Sequence, residues 1–173
     1  MLNKSDLTTP TIIEGWLQDL GLTCVRRTDA ASNWALEFTI AGPNPLVLSA
    51  VNPKSVPRAV MLVCGLSASP VHMEVFKTLA ETARTRFWQQ MRDTLSREFV
   101  EYQLEGTPPS ECPRMLRVTA IRFDDGLSLD SFARSIASVC KAAASAVAHY
   151  TDQLGDPNAP TSGEFAFKKS ATQ

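Results

Sequence analysis

The spacing of apolar residues changes period several times along the chain. Ile12, Ile13, Trp16, Leu17 and Leu20 recur at three- and four-residue intervals behind Thr9 and Pro10. Thr9 is suited to capping a helix, and Pro10 suits a first turn, where a missing N–H costs nothing. Gly21 ends the run. Residues 22–27 then read as a strand. Trp34, Leu36, Phe38 and Ile40 alternate with Ala35, Glu37 and Thr39, the pattern of a strand with one buried face. Residues 46–51 and 59–64 are nearly continuous apolar runs, as expected of strands in a sheet covered on at least one side. The Pro-, Gly- and Asn-rich connections between these runs are too short for crossover helices, so the segment predicts a four-stranded antiparallel meander.

Ser69 and Pro70 repeat the capping signature and open the longest predicted helix, which runs to about residue 98 with a stripe of Phe76, Leu79, Ala80, Ala83, Phe87 and Met91. Val100, Tyr102 and Leu104 alternate with Glu101, Gln103 and Glu105. A loop carrying Pro108, Pro109 and Pro113 separates this strand from another at residues 115–123, closed by a turn at Asp124-Asp125-Gly126. Ser128 caps a last helix whose apolar face includes Phe132, Ile136, Val139, Ala143, Tyr150 and Leu154. Its many alanines favour helix intrinsically. Beyond Gly155, Pro157, Pro160 and Gly163 interrupt any regular element. The expected organisation is therefore a single α+β domain over residues 1–155, with helices packed on a twisted antiparallel sheet of about six strands, and a flexible tail over residues 156–173.

Composition narrows the function classes. The chain has 173 residues, 44% of them hydrophobic and 20% charged, with a formal net charge of −1. That balance argues against a protein that grips nucleic acid or an anionic membrane by bulk charge, and no apolar run is long enough to span a bilayer. Cys24, Cys64, Cys112 and Cys140 are too scattered for a zinc site or a redox pair. The reading is a cytoplasmic protein with reduced thiols, no metal and no cofactor. Cys112, in the proline-rich loop, is the cysteine expected to be reactive.

Catalytic patterns are weak. Gly65-Leu66-Ser67-Ala68-Ser69 follows a strand and precedes a helix, like a nucleophile elbow, but lacks the final glycine and sits in an antiparallel setting. His72 falls near the apolar face of the long helix, whereas projection puts His149 on the water side of the last one. Asp124 and Asp125 offer too few oxygens for a hard cation. Glu101 and Glu105 read as solvated charge on a strand. Gly65 and Gly126 belong to no phosphate-cradling motif. Lys77, Arg84, Arg86, Arg92 and Arg97 outnumber Glu81 and Asp93 along the long helix, and Trp88 stands among them, a mixture that an RNA-binding surface would use, though without an RNP motif or GxxG loop. On a continuous helix Trp88 lies about 100° from the centre of the buried stripe. With Arg84, Arg92 and Leu95 it forms the candidate protein-binding surface, since Trp and Arg are enriched where interfaces carry their energy; the equal alternative is that a sheet edge or the last helix covers Trp88 within the monomer.

The order helix, four strands, long helix, two strands, helix, with Trp16 in the capped first helix and Asp125-Gly126-Leu127-Ser128 before the last, resembles the type III secretion chaperone-like superfamily and its YbjN-like branch. The resemblance spans Thr9 to Leu154 and lies in architecture. It implies a twisted antiparallel sheet covered by helices, often dimeric, that binds another polypeptide without chemistry. The expectation is thus a non-enzymatic protein-binding domain, chaperone-like or an adaptor, working as a homodimer. Two alternatives stand: a hydrolase-like small-molecule enzyme using Ser67 with a histidine, and a weak RNA-binding module using the basic helix.

Overall fold

The computed structural model describes residues 8–42 and 44–155, so the expected tail at 156–173 lies outside the described residues. Among these the order is α1 (Pro10–Asp19), β1 (Cys24–Arg27), β2 (Ser32–Ile40), β3 (Leu46–Pro53), β4 (Ala59–Ser67), α2 (Pro70–Thr78), α3 (Glu81–Ser96), β5 (Glu101–Glu105), β6 (Met115–Phe123) and α4 (Leu129–Leu154). The strands form one open sheet in the order β1-β2-β3-β4-β6-β5. The meander is antiparallel as predicted. β6 runs antiparallel to β4, with Asp124 N–H donating to the Arg58 carbonyl at 2.9 Å and Ala68 N–H to the Arg114 carbonyl at 2.9 Å. This is the expected α+β architecture.

The chain forms two compact units. The first holds the residues up to Cys64 together with Thr119–Cys140; the second holds Gly65–Val118 and the residues from Lys141 onward. In the first unit the strand register lines up two rows across the sheet: Cys24, Phe38, Leu48 and Cys64 in one, Arg26, Leu36, Ala50 and Leu62 in the other. Because side chains alternate along a strand, all these even-numbered positions share one face. Leu36, Phe38, Leu48, Ala50, Leu62 and Cys64 are fully buried there, and burying a large aliphatic side chain is worth about 1.5–3 kcal/mol.

Both helical segments of this unit cover that face. α1 buries Ile13 and Leu17, and its Glu14 carboxylate accepts from Arg26 Nε at 2.6 Å and Nη2 at 2.9 Å. The N-terminal half of α4 brings Phe132 to within 5.8 Å of Trp16, ring centre to ring centre. Ser135 Oγ accepts from Arg122 Nε at 2.8 Å, on the even-numbered face of β6. Local signals hold at the end of α1 and the start of α4, whereas Thr9, extended at the N-cap of α1, makes no side-chain cap bond. Gly21, at φ +72°, takes the left-handed conformation that stops α1, and Ser128 Oγ accepts from Ser131 N–H at 3.2 Å.

In the second unit the predicted long helix is two helices. Ser69 caps α2 through a bond from His72 N–H. The helix then ends at Leu79 and Ala80, whose ψ angles of 145° and 151° are extended. Thr78 Oγ1 donates back to the Val75 carbonyl at 2.7 Å, a local bond that competes with continuation of the helix. This break resets the helical phase, so α3 buries Phe87, Trp88, Met91 and Leu95 together. The loop between β5 and β6 is held by two buried donors, Trp88 Nε1 to the Glu111 carbonyl at 2.8 Å and Tyr150 Oη to the Pro113 carbonyl at 2.6 Å.

Candidate protein-binding surface

The odd-numbered positions of the first unit make the opposite face of its sheet. Val25, Glu37, Ser49 and Val63 lie in one row, and Ala35, Val51 and Met61 in the next. On β6, Arg122 turns toward α4, so Ile121 and Phe123 look the other way. α1 and the first half of α4 both occupy the even face; among the described residues of this unit no helix lies on the odd one. An antiparallel sheet with one wet face normally alternates to polar residues there. Here the positions are largely Val, Met, Ile and Phe. Val47, Val51, Met61, Val63 and Ile121 are only half-buried, and Val25 and Phe123 are each 53% exposed.

The charged groups on this face and its rim are mostly spent within the chain. Arg27 Nη2 donates to Glu37 Oε1 at 2.7 Å. At the end of β6, the Arg58 guanidinium makes a two-pronged bond to Asp124, Nε to Oδ2 and Nη2 to Oδ1, each 2.8 Å. Two shallow depressions flank Phe123, one walled by Ile121, Arg122, Ser131 and Arg134, the other by Val56, Pro57 and Arg58. Neither is a deep cleft that would enclose a small substrate. The chemistry this surface offers is apolar contact with a small polar rim.

The residues singled out in the sequence fall elsewhere. Trp88 is 3% exposed and Leu95 is fully buried, so neither forms the surface patch that a continuous helix predicts. The break at Leu79–Ala80 turns both into the packed stripe of α3. Arg92 stays exposed, its guanidinium carbon 5.5 Å from the centre of the Trp88 ring. Arg84 Nε is buried with no hydrogen-bond partner among the described residues. Of the other basic residues, Lys77 lies on α2 and pairs with Glu74, so the positive run is divided between two helices.

His72 is fully buried with Nε2 3.1 Å from the Gly155 carbonyl, and His149 has Nε2 3.1 Å from the Phe87 carbonyl. A carbonyl only accepts, so each Nε2 carries a proton and acts as a donor to main chain. His149 is half-buried rather than on the water side. It packs 4.5 Å from the Phe87 ring, and burial lowers its pKa. Tyr150 stacks on His72 at 5.7 Å. Cys112 is 5% exposed and burial pushes its thiol up to about 12, the opposite of a reactive cysteine. Cys64 is likewise pushed up to about 12. Asp124, read as part of a turn, is the buried partner of Arg58, whereas Asp125 remains exposed. Glu101 and Glu105 are exposed on β5. Ser67 is half-buried at the end of β4.

Sequence reasoning missed the odd face. Its signal was present in the near-continuous apolar runs of β3 and β4, where Val47, Val51, Met61 and Val63 interleave with the core residues. Those runs announce two apolar faces without saying which one the helices cover.

Among the described residues no group of three or more His, Cys, Asp or Glu could hold a metal ion, and no helix is long and apolar enough to cross a membrane. No curated protein matches the chain. A crystal structure of an uncharacterized protein from Methanothermobacter thermautotrophicus is similar at 25% sequence identity and a TM-score of 0.75, over 87% of this chain and 99% of that one. Residues 11–149 match the family described as uncharacterized conserved protein (DUF2299), and the chain belongs to that family.

Proposed function

We propose that this protein works by binding another polypeptide, not by catalysis, and that the odd-numbered face of its first unit is the surface it uses. One observation carries the reading: an apolar sheet face, from Val25 across Val51 and Met61 to Phe123, left without a helix of its own unit. Apolar side chains left accessible on a sheet face are typical of interfaces. Supporting it, the two histidines donate to main-chain carbonyls within packed regions. The architectural resemblance to chaperone-like domains points the same way. A cytoplasmic setting belongs to this reading and fits four cysteines that are all free thiols.

The test is a photo-crosslinker at the rim of the face. With benzoylphenylalanine replacing Phe123, irradiation in native cells should give a protein adduct of discrete mass, joined at residue 123 and abolished by a second change, Met61→Lys. The same probe replacing exposed Phe99, in the other unit, is the control. Equal labelling from the two positions, or no adduct at 123, would contradict the proposal.

A further inference from the structure

We infer that the polypeptide covering the odd-numbered face is a second copy of this chain, packed sheet to sheet across a two-fold axis. The inference rests on the protein-binding reading above and names its partner. Three observations favour a second copy over a different protein. The first is composition. Val25, Val47, Val51, Val63 and Ile121, with Met61, make the face mostly aliphatic around the polar Arg27, Glu37 and Ser49, and permanent self-association uses interfaces that resemble a core cut in half, whereas transient partners meet surfaces about as polar as the rest of the protein.

The second observation is charge. The ion pair on the face, Arg27 with Glu37 at 2.7 Å, is closed within one chain. Two identical faces can therefore meet without like charges opposing each other, and a partner selected by charge would find no net field there. A two-fold contact demands this kind of self-compatibility, because each residue pair occurs twice.

The third is size. Five strands about 4.8 Å apart and roughly six residues long present on the order of 400–500 Å² of projected sheet. Side-chain relief and the rim residues Phe123 and Val25 enlarge this toward the ~800 Å² that each partner of a stable complex buries. Two such faces would stack about 10 Å apart with their strands within about 30° of alignment, the usual geometry of packed sheets.

Sedimentation of the full chain over a dilution series from about 300 µM to about 0.1 µM tests this, the range that separates stable from incidental association. The expected result is a dimer that dissociates on dilution, with Val51→Lys raising the dissociation constant at least ~100-fold, as loss of a central contact does. Val51 is half-buried at the surface of the sheet, and native circular dichroism of the variant would show that it still folds. A second reading needs no variant: peroxide oxidation of Met61 should be slow in the wild-type dimer and speed up on dilution, while half-buried Met73, on α2, oxidises at one rate throughout.

A dimer in which Met61 oxidises freely would place self-association on another surface and overturn the inference. A monomer at every concentration also overturns it, and the crosslinker at residue 123 then separates the cases. An adduct to a different polypeptide leaves protein binding standing with another partner. A monomer with no adduct removes both claims.

Discussion

Tyr150 shows how much one buried atom does in the second unit. Its hydroxyl donates to the Pro113 carbonyl at 2.6 Å, in a setting buried enough to push the phenol's pKa up. Tyr150→Phe leaves that carbonyl buried without this donor and should cost about 1–2 kcal/mol in urea unfolding. Gly106 is the matching main-chain case. It holds φ +140°, and a Cβ there would come within 3.0 Å of the Cys112 carbonyl oxygen. Gly106→Ala should therefore destabilise by more than ~1 kcal/mol in the same measurement. His149 gives a pH dependence. Burial lowers its folded-state pKa, and the bond to Phe87 and the nearby Asp152 offset this only in part. The unfolded chain, with an ordinary pKa near 6.5, then binds more protons between the two values. Its contribution to stability is complete above pH ~6.5 and is lost as pH falls toward the folded-state pKa. His149→Gln should flatten that slope in acid titrations of the unfolding midpoint; a slope unchanged in the variant would assign it to other groups.

Among the elements, α3 starts on a residue that cannot cap it. Its N-cap, Ala80, has the extended conformation of a cap but no side chain to bond the free N–H groups of the first turn. Ala80→Ser supplies one, and should stabilise the protein by about 0.5–1 kcal/mol, read as a higher thermal midpoint. The same junction marks the limit of sequence reading. Strand alternation in β2, the capping of α2 by Ser69 and the stop at Gly21 are local signals, and each element they predict is present. The break at Leu79–Ala80 has no Pro or Gly to announce it, so helical projection carried a false phase from Phe76 into α3 and set Trp88 on the wrong side. β1 fell short of its predicted start at Leu22 because pairing, which begins at Cys24 opposite Phe38, decides where a strand counts as one. The candidate site was hidden for a different reason: an apolar run in β3 reads alike whether its second face meets a helix, a partner or water.

At the scale of the molecule, the four cysteines are free thiols, so reductant should leave the thermal midpoint unchanged, and chelator likewise; a drop of many degrees with either would mean that a constraint had been overlooked. The larger question is what the odd face of the first unit meets. Even positions of β2, β3 and β4 are buried on the side of α1 and α4, while on the odd face Val25 of β1 and Phe123 of β6 stay in water. Residue-level hydroxyl-radical labelling reads that asymmetry without naming a partner. Purified chain diluted below association should label readily at Val51, Met61, Ile121 and Phe123. In native extract those four positions should be protected several-fold while Phe99, 93% exposed on the other unit, labels equally in both. Equal labelling of the four in extract and in dilute solution would show that the face works bare and binds no polypeptide.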